Sequence, residues 1–218
     1  MKILSTKILT DSQKKPLIDA GLELIENDFI STQIKFFDLK NINESLIFTS
    51  QNSVESILQH TELETLKTKK VYCVGIKTKN LLAENSFEVI AYTGYAADLA
   101  EIITLIYKSE SYTFFSGNKR RDTLPDALKE AGVIFNEIEV YETTLTPQKI
   151  KGSVDAVLFF SPSGVESYLA DNKLKNEICF CIGETTASAL ENKTKNIIIA
   201  DQPTIEDVIE VVIEELAP

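Results

Sequence analysis

The chain has 218 residues, with 22 Lys or Arg against 33 Asp or Glu, so its net charge at pH 7 is −11. This length suits one large domain or two compact domains of about 100 residues each, and 44% hydrophobic with 25% charged residues excludes a disordered, collagen-like or coiled-coil chain. The acidic balance argues against nucleic acid as the main partner, and no apolar run reaches the roughly 18 residues of a membrane helix.

The N-terminus, MKILSTKILTDSQKK, has too short an apolar core for a signal peptide, because Lys7 interrupts it. We therefore expect a soluble, cytoplasmic protein with no membrane partner. Beyond this segment, short apolar runs alternate with segments of helical periodicity. The candidate strands are residues 2–8, 29–37, 45–49, 71–75, 88–92, 112–116, 135–143, 155–160, 178–182 and 196–200.

Helical patterns such as 122–131 and 204–216 lie between most of these strands. This alternation predicts an α/β fold with parallel sheets flanked by helices. Residues 30–39 and 137–145 differ, because they are long, alternate in polarity and are not followed at once by a helix. We interpret these two segments as connectors that cross between two lobes.

Helix-terminal residues predict where several helices begin and end. Ser161 followed by Pro162 is typical of an N-cap with proline at the first helical position. Two Thr-x-x-Asp capping boxes and two glycines that follow helical runs predict further boundaries. The boxes are Thr123 with Asp126 and Thr204 with Asp207, and the glycines are Gly21 and Gly132.

Three segments of the chain recur, in the same order, about 110 residues later. SLIFTSQNSVESIL at 45–58 matches AVLFFSPSGVESYL at 156–169 with an offset of 111. YCVGIKTKNLL matches FCIGETTASAL with an offset of 108, and VIAYTGYAADLAEII matches IIADQPTIEDVIEVV with an offset of 109. The sequence therefore consists of two half-length copies, the second beginning near residue 111.

Scarce residue types exclude several chemistries. The chain has one histidine, His60, in the polar stretch LQHTELE, and we interpret it as the end of a helix rather than as a catalytic base. Cys179 and Cys181 lie two apart in an apolar run that predicts a buried strand, and no second cysteine pair accompanies them. Together with Cys73 they are expected to be buried, reduced thiols, and we expect no metal site.

Five candidate strands end in small polar loops. At the carboxyl edge of a parallel sheet, such loops place free backbone N–H groups where they can bind phosphates or carboxylates. Each loop alone is also explained as a simple N-cap, but five in two matched copies favour an extended anion site. The loops are Thr49–Asn52, Gly75–Thr78, Ser116–Lys119, Ser161–Gly164 and Gly183–Thr186.

The densest basic cluster is Lys119, Arg120 and Arg121, directly after Ser116–Asn118. In an acidic protein, such a cluster would concentrate an anionic substrate, although a solvated first helical turn explains it equally well. The chain contains neither a GxGxxG nor a GxxxxGK[ST] motif, so dinucleotide and nucleotide sites lack their phosphate loops.

One ordered series of motifs resembles the uroporphyrinogen-III synthase family, and it covers essentially the whole chain. The series is FTSQNSVES, CVG, FFSGNKRRDTLPDALKEAG, EVYET, FFSPSGVESYL, IGETTASAL and ADQPTIEDV. The resemblance implies two α/β lobes, one of them discontinuous, joined by a two-stranded antiparallel linker, with the active site in the cleft. Residues 1–30 and 146–218 would form one lobe, residues 37–138 the other, and residues 31–36 and 139–145 the linker strands.

The resemblance also implies a cofactor-free reaction, in which hydroxymethylbilane closes to uroporphyrinogen III with loss of water and inversion of ring D. Tyr141, in EVYET, would donate a hydrogen bond to the leaving hydroxyl or stabilise the azafulvene that forms, although a tyrosine packed on the hinge is the alternative. The residues implied to bind the substrate carboxylates are Ser50, Asn52, Thr78, Ser116, Gly117, Asn118, Ser161, Ser163, Gly164, Thr185 and Thr186. Ile76 and Lys77 are bulkier than the small residues that relatives often carry in this loop.

Two other functions stay open from the sequence. One is a two-lobe protein that binds an anionic metabolite without performing chemistry, and the other is a regulatory module of a larger protein. The short apolar core of the N-terminal segment weighs against a periplasmic binding protein, and nothing in these 218 residues supports the expectation of a second module. We expect the enzyme to act as a monomer on its small-molecule substrate.

Overall fold

In a computed structural model, which describes residues 1–216, the chain forms two compact units. The first consists of Met1–Ser31 together with the chain from Thr144 onward, and the second of Thr32–Thr143. The chain therefore leaves the first unit once and returns to it once. Among residues 1–216, no helix has both the length and the apolar character that crossing a membrane requires.

The elements follow one another in an alternating α/β order. They are β1 (Lys2–Ser5), α1 (Asp11–Asp19), β2 (Glu23–Glu26), β3 (Ile30–Ile34), β4 (Ser45–Phe48), α2 (Gln51–Leu58), α3 (Leu63–Leu66), β5 (Lys70–Val74), α4 (Ile76–Glu84), β6 (Glu88–Thr93), α5 (Ala96–Ile106), β7 (Ser111–Gly117), α6 (Thr123–Glu130), β8 (Ile134–Leu145), β9 (Ala156–Phe159), α7 (Pro162–Asp171), β10 (Ile178–Cys181), α8 (Glu184–Ala187), a 3₁₀ helix (Ser188–Leu190), β11 (Ile197–Ile199) and α9 (Ile205–Leu216).

Each unit is built on one sheet. The first unit has the strand order β11-β10-β9-β1-β2, and the second sheet has the order β3-β8-β7-β4-β5-β6. In the first sheet, all neighbouring strands pair in parallel. In the second sheet, the neighbouring strands among β8, β7, β4, β5 and β6 also pair in parallel. The predicted α/β fold with parallel sheets and flanking helices is confirmed.

The middle strands are buried on both faces, as parallel sheets covered by helices require. In β9, Val157 and Phe159 face one core and Leu158 faces the other. In β4, Leu46 and Phe48 pack on one side of the sheet, and Ile47 packs on the opposite side. The carboxyl ends of these strands consequently emerge between helices, where the chain turns directly into α2 and α7.

The predicted helix boundaries are confirmed at three places and wrong at one. Ser161 caps α7 with Pro162 in the first turn. Gly21 and Gly132 have φ of +76° and +71° just after α1 and α6, the left-handed conformation that ends a helix. The box at Thr123 is wrong, because Asp122 precedes the helix in a helical conformation and makes no side-chain cap bond.

The second box, at Thr204, forms only in part. The Asp207 N–H donates to Thr204 Oγ1 over 3.1 Å, as predicted. The Asp207 carboxylate, however, accepts from the N–H of Gln202, over 2.9 Å, instead of reaching back to the Thr204 backbone.

The strand predictions need two corrections. The strand β2 was not among the predicted strands, and the strand predicted at residues 2–8 ends at Ser5.

Candidate functional residues in each unit

Tyr141 lies on β8, directly beside the end of β7. The register of the two strands slips by one residue between Ser116 and Gly117, so that Gly117 pairs with Tyr141 rather than with Val140. Such bulges redirect side chains and are frequent next to active sites. Here the bulge places the half-buried Tyr141 ring against the backbone of Gly117.

Gly117 has to be a glycine in this arrangement. A Cβ atom at this position would lie 2.3 Å from Cζ of Tyr141 and 2.4 Å from Cε2, far inside van der Waals contact. Gly117 is therefore not merely a flexible loop residue, because its missing side chain makes the space that the tyrosine ring occupies.

Asn118 holds the strand that carries Tyr141. Its side-chain oxygen accepts the Thr143 N–H over 2.8 Å, and its side-chain nitrogen donates to the Thr143 carbonyl over 3.2 Å. The Asn118 N–H also donates to the Tyr141 carbonyl over 3.4 Å. Asn118 thus binds β8 on both sides of Glu142, and Thr143 is a supporting residue that sequence reasoning did not identify.

Ser50 lies at the start of α2. It is the N-cap of this helix, with Oγ accepting the Asn52 N–H over 3.2 Å. Burial raises the pKa of the Tyr141 phenol above its ordinary value of 10, and the nearby Ser50 side chain partly opposes that rise, so the phenol is protonated at neutral pH.

Asn52 and Thr78 occupy first turns in the same unit. The half-buried Asn52 follows Ser50 in α2, and its carbonyl accepts the Ser56 hydroxyl over 2.7 Å. Gly75, with φ of +90°, precedes α4, and Thr78 is buried in the first turn of this helix. Of the two bulky residues in this loop, Ile76 is exposed and Lys77 is partly buried.

The basic cluster is engaged in part by acidic groups of its own unit. Arg120 donates to both carboxylate oxygens of Glu137, over 2.6 and 2.9 Å, and also contacts Asp122. Ser116, which is buried, donates to the same carboxylate over 2.6 Å. Burial opposes ionisation of Glu137, but the bonds from Arg120 and Ser116 outweigh it and lower its pKa.

In the first unit, the residues Ser161, Ser163 and Gly164 form the start of α7. Ser161 Oγ accepts the Gly164 N–H over 3.0 Å, and Ser163 is half-buried. Thr6, which sequence reasoning did not identify, lies beside them, and its hydroxyl donates to the Leu158 carbonyl over 2.7 Å. A Cβ on Gly164 would lie 3.4 Å from Ser161 Oγ, which a small adjustment accommodates.

Thr185 and Thr186 lie in the short helix α8, after Gly183. Thr185 is partly buried, whereas Thr186 is only 1% exposed. Within residues 1–216, the Thr186 hydroxyl has no hydrogen-bond partner. A buried hydroxyl without a partner is costly, which makes Thr186 a candidate for binding a ligand group.

The structure thus brings Ser50, Gly117, Asn118 and Tyr141 together in the second unit. It brings Ser161, Ser163 and Gly164 together in the first. Ser116 points into the pair formed by Arg120 and Glu137. The remaining predicted residues, Asn52, Thr78, Thr185 and Thr186, occupy the first turns of their helices.

His60 lies at the end of a helix and the three cysteines are buried, as the sequence predicts. His60 directly follows the C-cap of α2, stacks on Phe37 with ring centroids 4.9 Å apart, and accepts the Glu62 N–H at Nδ1. The three cysteines are buried and unpaired, and burial raises the pKa of each thiol to about 12. Across the described part of the chain, no group of three or more His, Cys, Asp or Glu is placed to hold a metal ion.

The family model for "Uroporphyrinogen-III synthase HemD" matches residues 15–210. A uroporphyrinogen-III synthase of Chlorobaculum parvum is 30% identical over 169 residues, which are 67% of this chain and 68% of that relative. These matches extend across both units and include the Tyr141 strand within the family model.

Two solved structures share the fold. The uroporphyrinogen-III synthetase of Helicobacter pylori superposes with a TM-score of 0.73 at 21% identity, over 98% of this chain and 99% of that one. A mutant uroporphyrinogen III synthase of Thermus thermophilus also gives 0.73, at 15% identity, over 99% and 98% of the two chains. At these identities the likeness establishes the two-sheet α/β architecture.

Proposed function

The chain belongs to the uroporphyrinogen-III synthase family, and we propose that it closes hydroxymethylbilane to uroporphyrinogen III. It is an enzyme of tetrapyrrole biosynthesis, a lyase in class. In the proposed reaction, the bilane loses its terminal hydroxyl as water and forms an azafulvene. The azafulvene attacks the substituted carbon of ring D, and the resulting spiro intermediate fragments and closes again with ring D inverted.

The task proposed for the protein is mainly to position the substrate. Without an enzyme the bilane closes to the symmetrical isomer I, so the protein has to hold the chain where the substituted carbon is attacked first. Backbone N–H groups at helix starts and short hydroxyl side chains bind carboxylates without cationic side chains. We propose that the substrate acetate and propionate groups are bound by these residues: Ser50, Asn52, Thr78, Ser116, Gly117, Asn118, Ser161, Ser163, Gly164, Thr185 and Thr186.

Tyr141 is the proposed catalytic residue, as the proton donor to the leaving hydroxyl. The observation that carries this proposal is the space that Gly117 leaves for its ring, where any larger side chain would clash at 2.3 Å. The bonds between Asn118 and Thr143 fix the same strand. A protonated phenol held at one place is a suitable general acid at neutral pH.

We propose the lobes as residues 1–30 with 146–218 and residues 37–138, with linker strands 31–36 and 139–145. The division of the chain into units after Ser31 and Thr143 supports these bounds, and so does the neighbouring position of β3 and β8 in one sheet.

We also propose that the enzyme acts as a cytoplasmic monomer. A light-scattering mass near the 24.3 kDa of one chain would support the monomer.

The proposed activity is tested with freshly generated hydroxymethylbilane and the purified protein, without added metal or cofactor. After oxidation, chromatography separates isomers I and III. We expect isomer III to predominate, and Tyr141→Phe to reduce its rate of formation without abolishing it. Isomer I alone at the spontaneous rate would reject the activity, and the protein would then have to be treated as a binder of an anionic metabolite.

A further inference from the structure

We infer that Asn118 is a positioning residue for Tyr141: its side-chain amide replaces a peptide group of β7 and fixes the strand that carries the phenol. This inference rests on the proposed function, in which Tyr141 gives a proton to the leaving hydroxyl. It adds a role that acts through Tyr141 to the carboxylate contact proposed for Asn118.

The main chain of β7 leaves the sheet directly after Gly117. The Asn118 N–H still donates to the Tyr141 carbonyl, over 3.4 Å. In a continued parallel ladder, the Asn118 carbonyl would accept the Thr143 N–H, and the N–H two residues later would donate to the Thr143 carbonyl. That later N–H, of Arg120, instead donates back to the Gly117 carbonyl over 3.1 Å, so the chain turns away.

The side chain of Asn118 makes the two bonds that the turning main chain gives up. Its Oδ1 accepts the Thr143 N–H over 2.8 Å, and its Nδ2 donates to the Thr143 carbonyl over 3.2 Å. An asparagine amide has the same donor and acceptor groups as a peptide, and its two partners fix which way it faces. The ladder therefore continues through this side chain for one more residue of β8.

This continuation holds the strand on the far side of Tyr141. Thr143 is buried, so leaving its backbone N–H and C=O without partners would be costly. On the near side, the Lys35 N–H donates to the Val140 carbonyl over 3.0 Å. Tyr141 thus lies between two fixed points of β8, with its ring against Gly117.

The first sheet shows that the fold itself does not require a side chain at this place. There β1 and β2 occupy the positions that β7 and β8 have in the second sheet. The Ser5 carbonyl accepts the Asn27 N–H over 3.2 Å, and main-chain groups continue the pairing. The Thr6 carbonyl next accepts the Phe29 N–H, again over 3.2 Å. The side-chain amide is used in the sheet whose strand carries a tyrosine, and β2, with the sequence ELIE, carries none.

The two roles of Asn118 affect different kinetic constants. Nδ2 carries two protons and uses one on Thr143, so the other can bind a substrate carboxylate. Loss of a carboxylate contact weakens substrate binding and raises KM. Loss of the bonds to Thr143 displaces the Tyr141 phenol from the reacting hydroxyl, which lowers kcat.

Three variants separate positioning from a general loss of stability. Asn118→Ala removes both bonds to Thr143 and opens no cavity in the core, because Asn118 is exposed. Asn118→Asp keeps the acceptor for the Thr143 N–H and loses the donor. Asn172→Ala is the matched control, since Asn172 binds the backbone in the same way at the carboxyl end of α7. It accepts the Ile150 N–H over 2.9 Å and donates to the Gln148 carbonyl over 2.8 Å.

The measurements are kcat and KM with hydroxymethylbilane, urea unfolding, and the pKa of Tyr141 from its ¹³C-labelled Cζ in the absence of substrate. Tyr141→Phe assigns that signal. We expect Asn118→Ala to lower kcat about tenfold. The pKa of Tyr141 should fall toward 10 in this variant, because a loosened ring is more hydrated.

The other two variants have distinct expected results. Asn118→Asp should have a kcat between those of Asn118→Ala and the unaltered protein, and a raised KM, because its charge repels the substrate carboxylates. Asn172→Ala should lose stability in urea and keep both kcat and the pKa of Tyr141.

Two results would overturn the inference. If Asn118→Ala raised KM and left kcat and the pKa of Tyr141 unchanged, Asn118 would act on the substrate alone. If Asn172→Ala lowered kcat equally, the effect would be a general loss of stability. Should Asn118→Ala fail to fold, an unchanged kcat in Asn118→Asp would count against the inference. Failure of the unaltered protein to form isomer III would reject the proposed function instead, and the titration of Tyr141 would still report on Asn118.

Discussion

The Tyr141 ring occupies the volume that a side chain at residue 117 would need, so we expect Gly117→Ala to be costly. The added Cβ would lie 2.3 Å from Cζ, and either the ring or the strand β7 has to move. Overpacking of this kind costs about 1 to 3 kcal/mol of stability. Because the reacting hydroxyl moves with the ring, kcat is expected to fall about 100-fold. Urea unfolding and the isomer assay measure the two effects.

Gly94→Ala is the control for this substitution. Gly94 has no positive φ, and a Cβ at that position would meet no atom within 4 Å. We expect this variant to keep the stability and the activity of the unaltered protein. A Gly117→Ala protein with normal kcat would show that the position of the Tyr141 ring does not matter for the reaction.

The pair between Arg120 and Glu137 predicts a pH-dependent stability effect. We expect Arg120→Gln to lower the free energy of unfolding at pH 7, because Glu137 loses its charged partner. Water screens this partly exposed pair, so the loss is expected to be only about 1 kcal/mol. The native pKa of Glu137 is lowered, so its stabilising contribution is present above the unfolded pKa of about 4.3 and is lost as pH falls through the folded pKa.

The difference between Arg120→Gln and the unaltered protein should therefore shrink below about pH 4. Urea unfolding at pH 7 and pH 3.5 measures it. An undiminished difference at the lower pH would mean that Arg120 stabilises the unit by packing rather than through the carboxylate. The same pair explains why this part of the basic cluster could not be interpreted from sequence, because Glu137 follows Arg120 only after an intervening helix.

At the scale of elements, Ser86 ends α4 with a backbone conformation that suits glycine. Its φ is +66°, its N–H donates to the Ala83 carbonyl, and the Phe87 N–H donates to the Leu82 carbonyl. Gly21 and Gly132 occupy this position after α1 and α6. We expect Ser86→Gly to stabilise the protein by about 0.5 to 1 kcal/mol, because glycine removes the strain of the left-handed conformation.

Thermal and urea unfolding test this prediction, with Gly132→Ala as the opposite change at the equivalent position of α6. Gly132→Ala should destabilise the protein, since alanine would have to adopt a φ of +71°. A destabilised Ser86→Gly protein would mean that entropy of the unfolded chain outweighs the strain in the native turn.

Elements were predictable where local chemistry specifies them. Ser161 with Pro162, and the fully apolar β4 and β9, specify a helix start and two central strands on their own. The strand β2 was missed because an edge strand of four partly exposed residues, Glu23–Glu26, lacks an apolar run. The contact between Asn118 and Thr143 was not predictable for a different reason, because the two residues lie 25 positions apart in the sequence and no local pattern links them.

For the whole molecule, the boundary of the repeat differs from the boundary of the folded units. The orders β11-β10-β9-β1-β2 and β6-β5-β4-β7-β8 correspond strand by strand. In the first unit, β1 and β2 come from the first copy of the repeat, and β9 to β11 come from the second copy. In the second unit, β4 to β6 come from the first copy, and β7 and β8 come from the second copy. Each unit therefore completes its sheet with strands from both copies.

This exchange predicts which fragments fold. Residues 32–143 contain five consecutive parallel strands and two buried clusters, so we expect this fragment to unfold cooperatively in urea on its own. Residues 1–110, the first copy, lack β7 and β9, the partners of β4 and β1. They would expose the apolar central strand β4 as an edge, and we expect them to aggregate or to stay unfolded.

The first unit should also fold when the second is removed. Because the Thr146 N–H donates to the Phe29 carbonyl over 2.9 Å, the two chain segments are already adjacent, and a short glycine-serine linker can join Ser31 to Thr144. Circular dichroism, urea unfolding and amide NMR dispersion would compare this protein with 32–143 and 1–110. Cooperative folding of 1–110 would show that the sequence copies, rather than the two units, are the folding domains.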